Sequence, residues 1–386
     1  MPTKGRTADG GEYRPIFTML LAACAIMPLS FAVKLAIAPE PLFPDFFGLW
    51  SYGRYVLTHP PATIYDGPAL HAFQIGLGMP DLENSFKYPP WILWLLAPFG
   101  ALPYAVAYAA WAALTFAAYA VALAVWRWPR PMAALLLLAP SSAVCLLVGQ
   151  TGFVIAALML GGMRLLPTRP LAAGALLAAV ACKPQFALLV PFVLLFGRHW
   201  RALAGAALAT VVLSLATVLA FGLDWGTWLA SMHDRAGPLI AGRETLRDMM
   251  PTVTSAVLLP GGSVTAAHLA QAAGALAGVL ALWRVRGRHD PEAQAVLPLA
   301  TMLATPYAFH YDLPVVTGAV LAVIAARVAA AGRFGQAEFP LLLACVVAPV
   351  IPIARIGEAI PLVPVVFAAT LWLMARPRDR LTAGQT

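Results

Sequence analysis

The sequence predicts an all-α polytopic membrane protein of about twelve transmembrane helices, within a range of 10–13, with a long first extracytoplasmic loop. Three observations predict it. Of the 386 residues 61% are hydrophobic and only 11% charged, with a mean hydropathy of +0.79, whereas an ordinary soluble domain carries roughly 25% charged residues. Hydrophobic runs recur along the whole chain, and only lipid can cover that much apolar surface when a spanning helix needs ~20 residues. The 25 Lys and Arg stand singly between those runs, so the net charge of +8 reads as a membrane-orientation signal rather than a nucleic-acid footprint. A soluble globular enzyme is excluded.

In chain order, residues 1–15 form a cytoplasmic tail with Lys4, Arg6 and Arg14, ahead of an apolar stretch from Ile16 to Ile37. That stretch exceeds the roughly 7–15-residue core of a signal peptide, so it is expected to remain as the first span. A first outer loop, 38–102, follows. Its last part, Pro89 to Leu102, is apolar but short and interrupted by Pro98 and Gly100, and is expected to be a juxtamembrane helix or a half-span. Later spans are expected at about 103–126, 132–148, 150–164, 170–182, 184–197 and 202–222, then, after a second large outer loop at 222–262, at 263–284, 293–306, 313–330, 338–353 and 359–375. Residues 16–376 thus make one integral-membrane domain, and 377–386 a cytoplasmic C-terminal tail. This scheme collects 17 of the 25 Lys and Arg inside. Counting 89–102 as a full span would reverse every later loop and put most arginines outside, against the positive-inside rule.

With that orientation the remaining polar residues gather on the outer face, where ionisable groups at membrane depth face a cavity, pair with one another or mark a substrate path. Asp45, in Pro44-Asp45-Phe46-Phe47, leaves the lipid directly after the first span. It is either a solvated loop carboxylate or a general base, with Phe46, Phe47 and Trp50 offering a dehydrated setting and stacking faces for a sugar. Lys87 and Tyr88 precede a rigid Pro89-Pro90 turn, as interface anchors or as groups facing a headgroup. Gln150, in Gly149-Gln150-Thr151-Gly152, sits at an outer turn whose ordinary role is backbone capping.

Lys183, in Cys182-Lys183-Pro184-Gln185, lies between two purely apolar stretches; it either snorkels to the interface or is a buried ammonium awaiting an anion at a broken helix. The late cluster Thr305-Pro306-Tyr307-Ala308-Phe309-His310-Tyr311-Asp312 is an aromatic interface belt, or it lines the same cavity as Asp45. The 222–262 loop carries Asp224, Trp225, Trp228, His233, Asp234, Arg235, Arg243, Glu244, Arg247 and Asp248, either as a solvated segment or as a cover whose arginines grip phosphate and whose tryptophans stack on sugar.

Cys24, Cys145, Cys182 and Cys345 lie apart inside apolar segments, as buried inert thiols, and there is no Walker A loop, GxSxG or HExxH. No cofactor and no metal are expected, since no DxD or other ligand cluster occurs.

The order of these motifs resembles glycosyltransferase family 87: a carboxylate just after the first span, Tyr88-Pro89-Pro90 after a long first outer loop, Gly149-Gln150 at an outer turn, Lys183-Pro184-Gln185, and the late Pro306-Tyr307 with His310-Tyr311-Asp312. The resemblance runs from about residue 40 to 320. It implies a C-type (GT-C) membrane glycosyltransferase, mannosyltransferase-like, that moves a hexose or pentose from a polyprenyl-phosphate carrier to a lipid or glycan acceptor hydroxyl, with inversion. The carrier-linked sugar is then a co-substrate, and the Ala-rich composition suggests a bacterial inner membrane, with the cell envelope as the setting. Asp45 matches the catalytic base, and Lys87, Tyr88, Gln150, Lys183 and Gln185 match positions around the donor. Arg243 and Arg247 join them as phosphate-binding candidates of the second loop, while His310 and Asp312 match the late motif that binds acceptor or orients the base. Ala308-Phe309-His310-Tyr311-Asp312 departs from the Ser-Trp-Asp-His wording of mannosyltransferase members. A transporter with polar groups at mid-depth and repeated halves, or a non-catalytic scaffold, is the rival class; neither a repeat nor mid-depth polar groups is visible.

Overall fold

The computed structural model describes residues 18, 21, 24, 25, 44–78, 85–222, 225–232, 247, 249–330, 334, 337–348 and 362–376. The tails 1–15 and 377–386, and most of the expected first span, lie outside them. Among the described residues there is no strand, and the regular elements are all helices.

The segment expected as the first outer loop contributes α1 (Pro44–Thr58), α2 (Gly67–Gly76) and α3 (Leu93–Gly100). The Asp66 carboxylate caps α2 by accepting from the Ala69 N–H at 3.2 Å. A 3-10 turn, Pro90–Ile92, precedes α3, and at 1.5 Å per residue the pair is far too short to cross a bilayer. It lies instead against α1. A Cβ on Gly53 of α1 would collide with the Leu96 carbonyl, and one on Gly100 with the Gly53 backbone, so both positions need glycine to let the helices cross. The Gln74 amide donates to Ser51 Oγ at 2.9 Å and the Tyr52 hydroxyl to the Ser85 carbonyl at 3.2 Å, which ties α2 and Ser85 to α1.

The bundle proper follows. Its helices are α4 (Tyr104–Leu123), α5 (Arg130–Leu138), α6 (Pro140–Val148), α7 (Gly152–Leu165), α8 (Pro170–Ala179), α9 (Pro184–Ala187), α10 (Val190–Phe196) and α11 (Trp200–Phe221). The helix over 225–232 is α12. After it come α13 (Val253–Leu258), α14 (Val264–Arg284), α15 (Pro291–Ala304), α16 (Pro314–Ala329), α17 (Glu338–Val347) and α18 (Leu362–Ala375). Among the described residues α4, α11 and α14 are long and apolar enough to cross a membrane, and α5 with α6, bent by 43°, makes a fourth if taken as one span. The bend falls at Pro140, which has no N–H to continue the ladder. Shorter apolar helices lie in the segments expected at 150–164, 170–182, 184–197, 313–330, 338–353 and 359–375.

Burial separates centre from periphery. Every residue of α15 from Ala295 to Ala304 is buried, as is most of α16, whereas α11 exposes Leu208, Val211, Leu215 and Leu219. A helix apolar all round is buried among its neighbours; an apolar face left outside a bundle in a chain of this composition faces lipid.

The loop ends sort into two sets. The arginine-bearing ends meet one another: His199 lies 5.6 Å from His289, Arg288 donates to the Arg376 carbonyl at 3.2 Å, and Arg164 donates to the Ala122 carbonyl at 3.3 Å. At that set of ends Arg327 bridges Glu292 at 3.2 Å and Glu338 at 2.6 Å, pinning α15, α16 and α17 together. The residues expected on the outer face meet at the other set. All four cysteines are free and buried, as the sequence predicts.

The α1–α3 crossing gives a paired prediction. Gly53→Ala is expected to lower the thermal unfolding midpoint of the purified protein by an overpacking cost of about 1–3 kcal/mol. Gly76→Ala, with nothing within 4 Å of the new methyl, is expected to raise it slightly.

Candidate functional site

The outer-end motifs converge on one cavity of about 1200 Å³. Asp45, Leu49 and Tyr52, spaced i, i+4 and i+7 on α1, line it. Phe46, Phe47 and Trp50 occupy the other faces of the helix and do not. Phe46 is buried among Tyr104, Tyr108 and Trp111, and Trp50 packs on Tyr104 with its N–H donating to the Leu102 carbonyl at 3.0 Å. The expectation that these three rings offer stacking faces is therefore corrected: helical spacing turns them into the core, where they anchor the carboxylate's helix.

Gly149-Gln150-Thr151-Gly152 forms the turn between α6 and α7 and joins both halves of the site. Gly149, at φ 70°, ends α6 in a left-handed conformation, and a Cβ there would strike Phe46, next to Asp45. A Cβ on Gly152 would strike the Tyr311 carbonyl, next to Asp312. Glycine at both places lets α1 and the late motif close on Gln150 from two sides. The Gln150 side-chain oxygen accepts from the Tyr88 hydroxyl at 3.3 Å and from the Thr151 N–H at 3.1 Å. That leaves the amide N–H₂ end for Asp45, with which Gln150 shares a side-chain hydrogen bond.

Lys183 and Asp312 meet at 2.6 Å with both side chains buried. The broken helix delivers the lysine: Pro184 starts α9, and Lys183 at φ −120° is its extended cap. The other oxygen of Asp312 accepts from the Phe309 N–H at 3.1 Å, closing the 3-10 turn His310–Asp312. The Tyr311 ring lies 4.8 Å from the ammonium as a cation–π neighbour. The anion beside Lys183 is thus the chain's own Asp312, not a vacancy for a ligand alone.

The rest of the candidates fall into place around this cluster. Lys87, Tyr88, Gln185, Arg247 and His310 line the cavity, and the Gln185 amide donates to the Tyr307 carbonyl at 3.4 Å. The Lys87 carbonyl accepts from the Trp228 indole at 3.3 Å and the Tyr88 carbonyl from the Tyr65 hydroxyl at 2.9 Å, which sets the direction of both side chains. Trp228 lines the cavity, but Trp225 packs 4.7 Å from Trp91 instead and offers no stacking face. Asp224, His233, Asp234, Arg235, Arg243, Glu244 and Asp248 lie outside the described residues.

Burial lifts the Asp45 pKa above the ordinary carboxylate value, with Gln150 and Lys183 pulling it down and Asp312 pushing it up. Burial likewise pushes the Tyr88 hydroxyl up to about 12. Among the described residues no three His, Cys, Asp or Glu side chains come together as a metal-ligand group. Tyr52, Ser85, Thr254, Ser255, His268 and Gln271 also line the cavity and were missed from the sequence. The only signal was the polar pair His268 and Gln271, one turn apart in the otherwise Ala- and Leu-rich α14.

The described residues are all helix, turn and loop, with several apolar helices, and they enclose a carboxylate, an ion pair and further cations in one cavity. Residues 86–309 match the family model for glycosyltransferase family 87, more than half of the chain, and the protein belongs to that family. No curated protein and no solved structure gives a match. A glycosyltransferase takes a sugar donor and an acceptor, and this one is a membrane glycosyltransferase.

Breaking a buried ion pair from one side costs about 3–5 kcal/mol. Lys183→Met and Asp312→Asn are each expected to lower the thermal midpoint steeply, and the double variant by clearly less than their sum. Additive losses in that double-mutant cycle would contradict the pairing.

Proposed function

We propose that the protein transfers a sugar, mannose or another hexose or pentose, from a polyprenyl-phosphate donor to an acceptor hydroxyl on the extracytoplasmic face, with Asp45 as general base and inversion at the anomeric carbon. The observation that carries this reading is the single cavity in which Asp45, held by Gln150, faces the Lys183–Asp312 pair while Lys87 and Arg247 stand on the same walls. A base must sit close to the acceptor hydroxyl with a pKa suited to taking its proton. Asp45 has a carboxylate shifted upward by burial and fixed by an amide.

In the proposed step the acceptor oxygen attacks the anomeric carbon as Asp45 takes its proton. The bond from that carbon to the phosphate oxygen breaks, and the carrier phosphate leaves with the electron pair. The charge gathering on the phosphate needs cations already in place. Lys87, from the first outer loop, and Arg247, from the second, supply them; Lys183 adds a positive field whose direct hydrogen bond is given to Asp312. Tyr88, Gln150 and Gln185 border the sugar, and His310 with Asp312 flanks the acceptor and Asp45. No metal has a role in this scheme.

Charge supports the extracytoplasmic placement. The arginine-bearing helix ends meet at the end away from the cavity, where exposed Trp200, Trp283 and Trp372 sit beside Arg201, Arg286 and Arg376, an aromatic and basic belt of the kind found at a cytoplasmic interface. The same reasoning supports a twelve-span, GT-C-type arrangement in a bacterial inner membrane with both termini cytoplasmic.

Asp45→Asn is expected to cut transfer from polyprenyl-phosphate mannose by about 100-fold or more while the donor still binds, measured with radiolabelled donor and purified protein. Full activity in the variant would overturn the assignment. With wild type, transfer should rise with pH through a midpoint above the ordinary carboxylate range, because the base works only when deprotonated. Removing the Gln150 amide in Gln150→Ala removes a downward pull on that carboxyl and is expected to move the midpoint to still higher pH. A midpoint that stays or falls would contradict the contact.

A further inference from the structure

The cavity is larger than the roughly 300–1,000 Å³ that suits one drug-sized ligand, and its walls differ. One carries Asp45, Lys87 and Lys183, while Arg247 lines the cavity from the turn it shares with Met250. The other is made by α13 and α14 and has a different chemistry.

On α14, His268, Gln271, Ala272 and Ala275 face the cavity, at the spacing of one helix face. The two alanines leave a trough, bordered by Leu258 and Met250. Gln271 is committed to the scaffold: its amide donates to the Leu303 carbonyl at 2.7 Å, and its oxygen accepts from the Thr254 hydroxyl at 3.0 Å and the Thr254 N–H at 3.2 Å. His268 is different. It is exposed on the cavity wall, has no hydrogen-bond partner among the described residues, and is the one ionisable side chain that α13 and α14 bring to the lining.

Resting on the transferase reading above, we propose that this wall is the acceptor subsite and that His268 is its specificity-determining residue. The phosphate of the donor belongs beside Lys87 and Arg247, where the fixed positive charge is. An imidazole pairs with hydroxyl groups as donor and acceptor, while the alanine trough takes an apolar tail. The acceptor class is therefore a neutral, hydroxyl-bearing headgroup on an apolar chain, an alkyl-glycoside-like amphiphile. Gln271 and Thr254 are positioning residues that hold α13 against α14 and keep the trough open.

The probes are octyl α-mannoside and methyl α-mannoside, tested for binding to the purified protein and as acceptors from polyprenyl-phosphate mannose, with wild type, His268→Ala, His268→Gln and Ala272→Leu. The octyl compound should bind the wild type at least tenfold more tightly than the methyl one. His268→Ala should raise the KM for octyl mannoside about tenfold with kcat and donor KM within twofold, and His268→Gln should recover most of it. Ala272→Leu should weaken the octyl compound alone. Unchanged acceptor KM in both His268→Ala and Ala272→Leu, no binding of octyl mannoside, or a rise in donor KM would overturn the subsite. Wild type that binds the octyl compound with this His268 dependence yet transfers nothing from any carrier-linked sugar would leave the subsite standing and remove the transferase chemistry instead.

Discussion

The buried contact between Lys183 and Asp312 is the interaction on which the outer end of the bundle depends. Leaving either charge there alone costs about 3–5 kcal/mol, a large share of the roughly 5–15 kcal/mol by which most folds are stable. Each is therefore held by the other, and the two elements that carry them, the broken helix at Pro184 and the 3-10 turn at His310, are tied across 129 positions of sequence. Asp312 spends its second oxygen on the Phe309 N–H, so the same carboxylate shapes its own turn. Once that turn is set, the Tyr311 carbonyl lies against Gly152, and the Gly-Gln-Thr-Gly turn, Asp45 and Tyr88 follow from it by direct contact.

The arrangement separates support from chemistry. α15 and α16 are buried along most of their length and pinned at the far end by Arg327 between Glu292 and Glu338, while Lys87, Tyr88, Gln150, Lys183, Arg247, His310 and Asp312 reach the cavity from turns, helix ends or loops. A rigid bundle below and adaptable segments above is a common way to place a site. It also explains why Phe46 and Trp50, next to and near Asp45 in sequence, serve the core: a carboxylate half out of water needs a helix that cannot rotate.

Much of this was legible in the sequence. Composition fixed the membrane class, and the parity of arginine-bearing loops predicted which motifs would share one face; Asp45, Lys87, Tyr88, Gln150, Lys183, Gln185, Arg247, His310 and Asp312 do line one cavity. What was not legible is pairing. Lys183 reads as an isolated cation in one dimension, because its partner arrives from a helix break far along the chain. His268 and Gln271 were passed over because two polar residues in an apolar helix resemble a tolerated interruption until a neighbouring helix leaves a cavity beside them. Trp225 and Trp228 are three residues apart, yet only one reaches the cavity, a difference set by packing against Trp91 and not by residue type.

The central claim is that one carboxylate, Asp45, deprotonates the acceptor while carrier phosphate leaves in a single displacement. The anomeric configuration of the product tests it most directly, read by NMR after transfer from a carrier-linked sugar of known configuration. A single displacement predicts inversion, an α-linked product from a β-linked donor. A product with the donor's own configuration would require an intermediate on the protein or a front-side path, and would contradict the role given to Asp45.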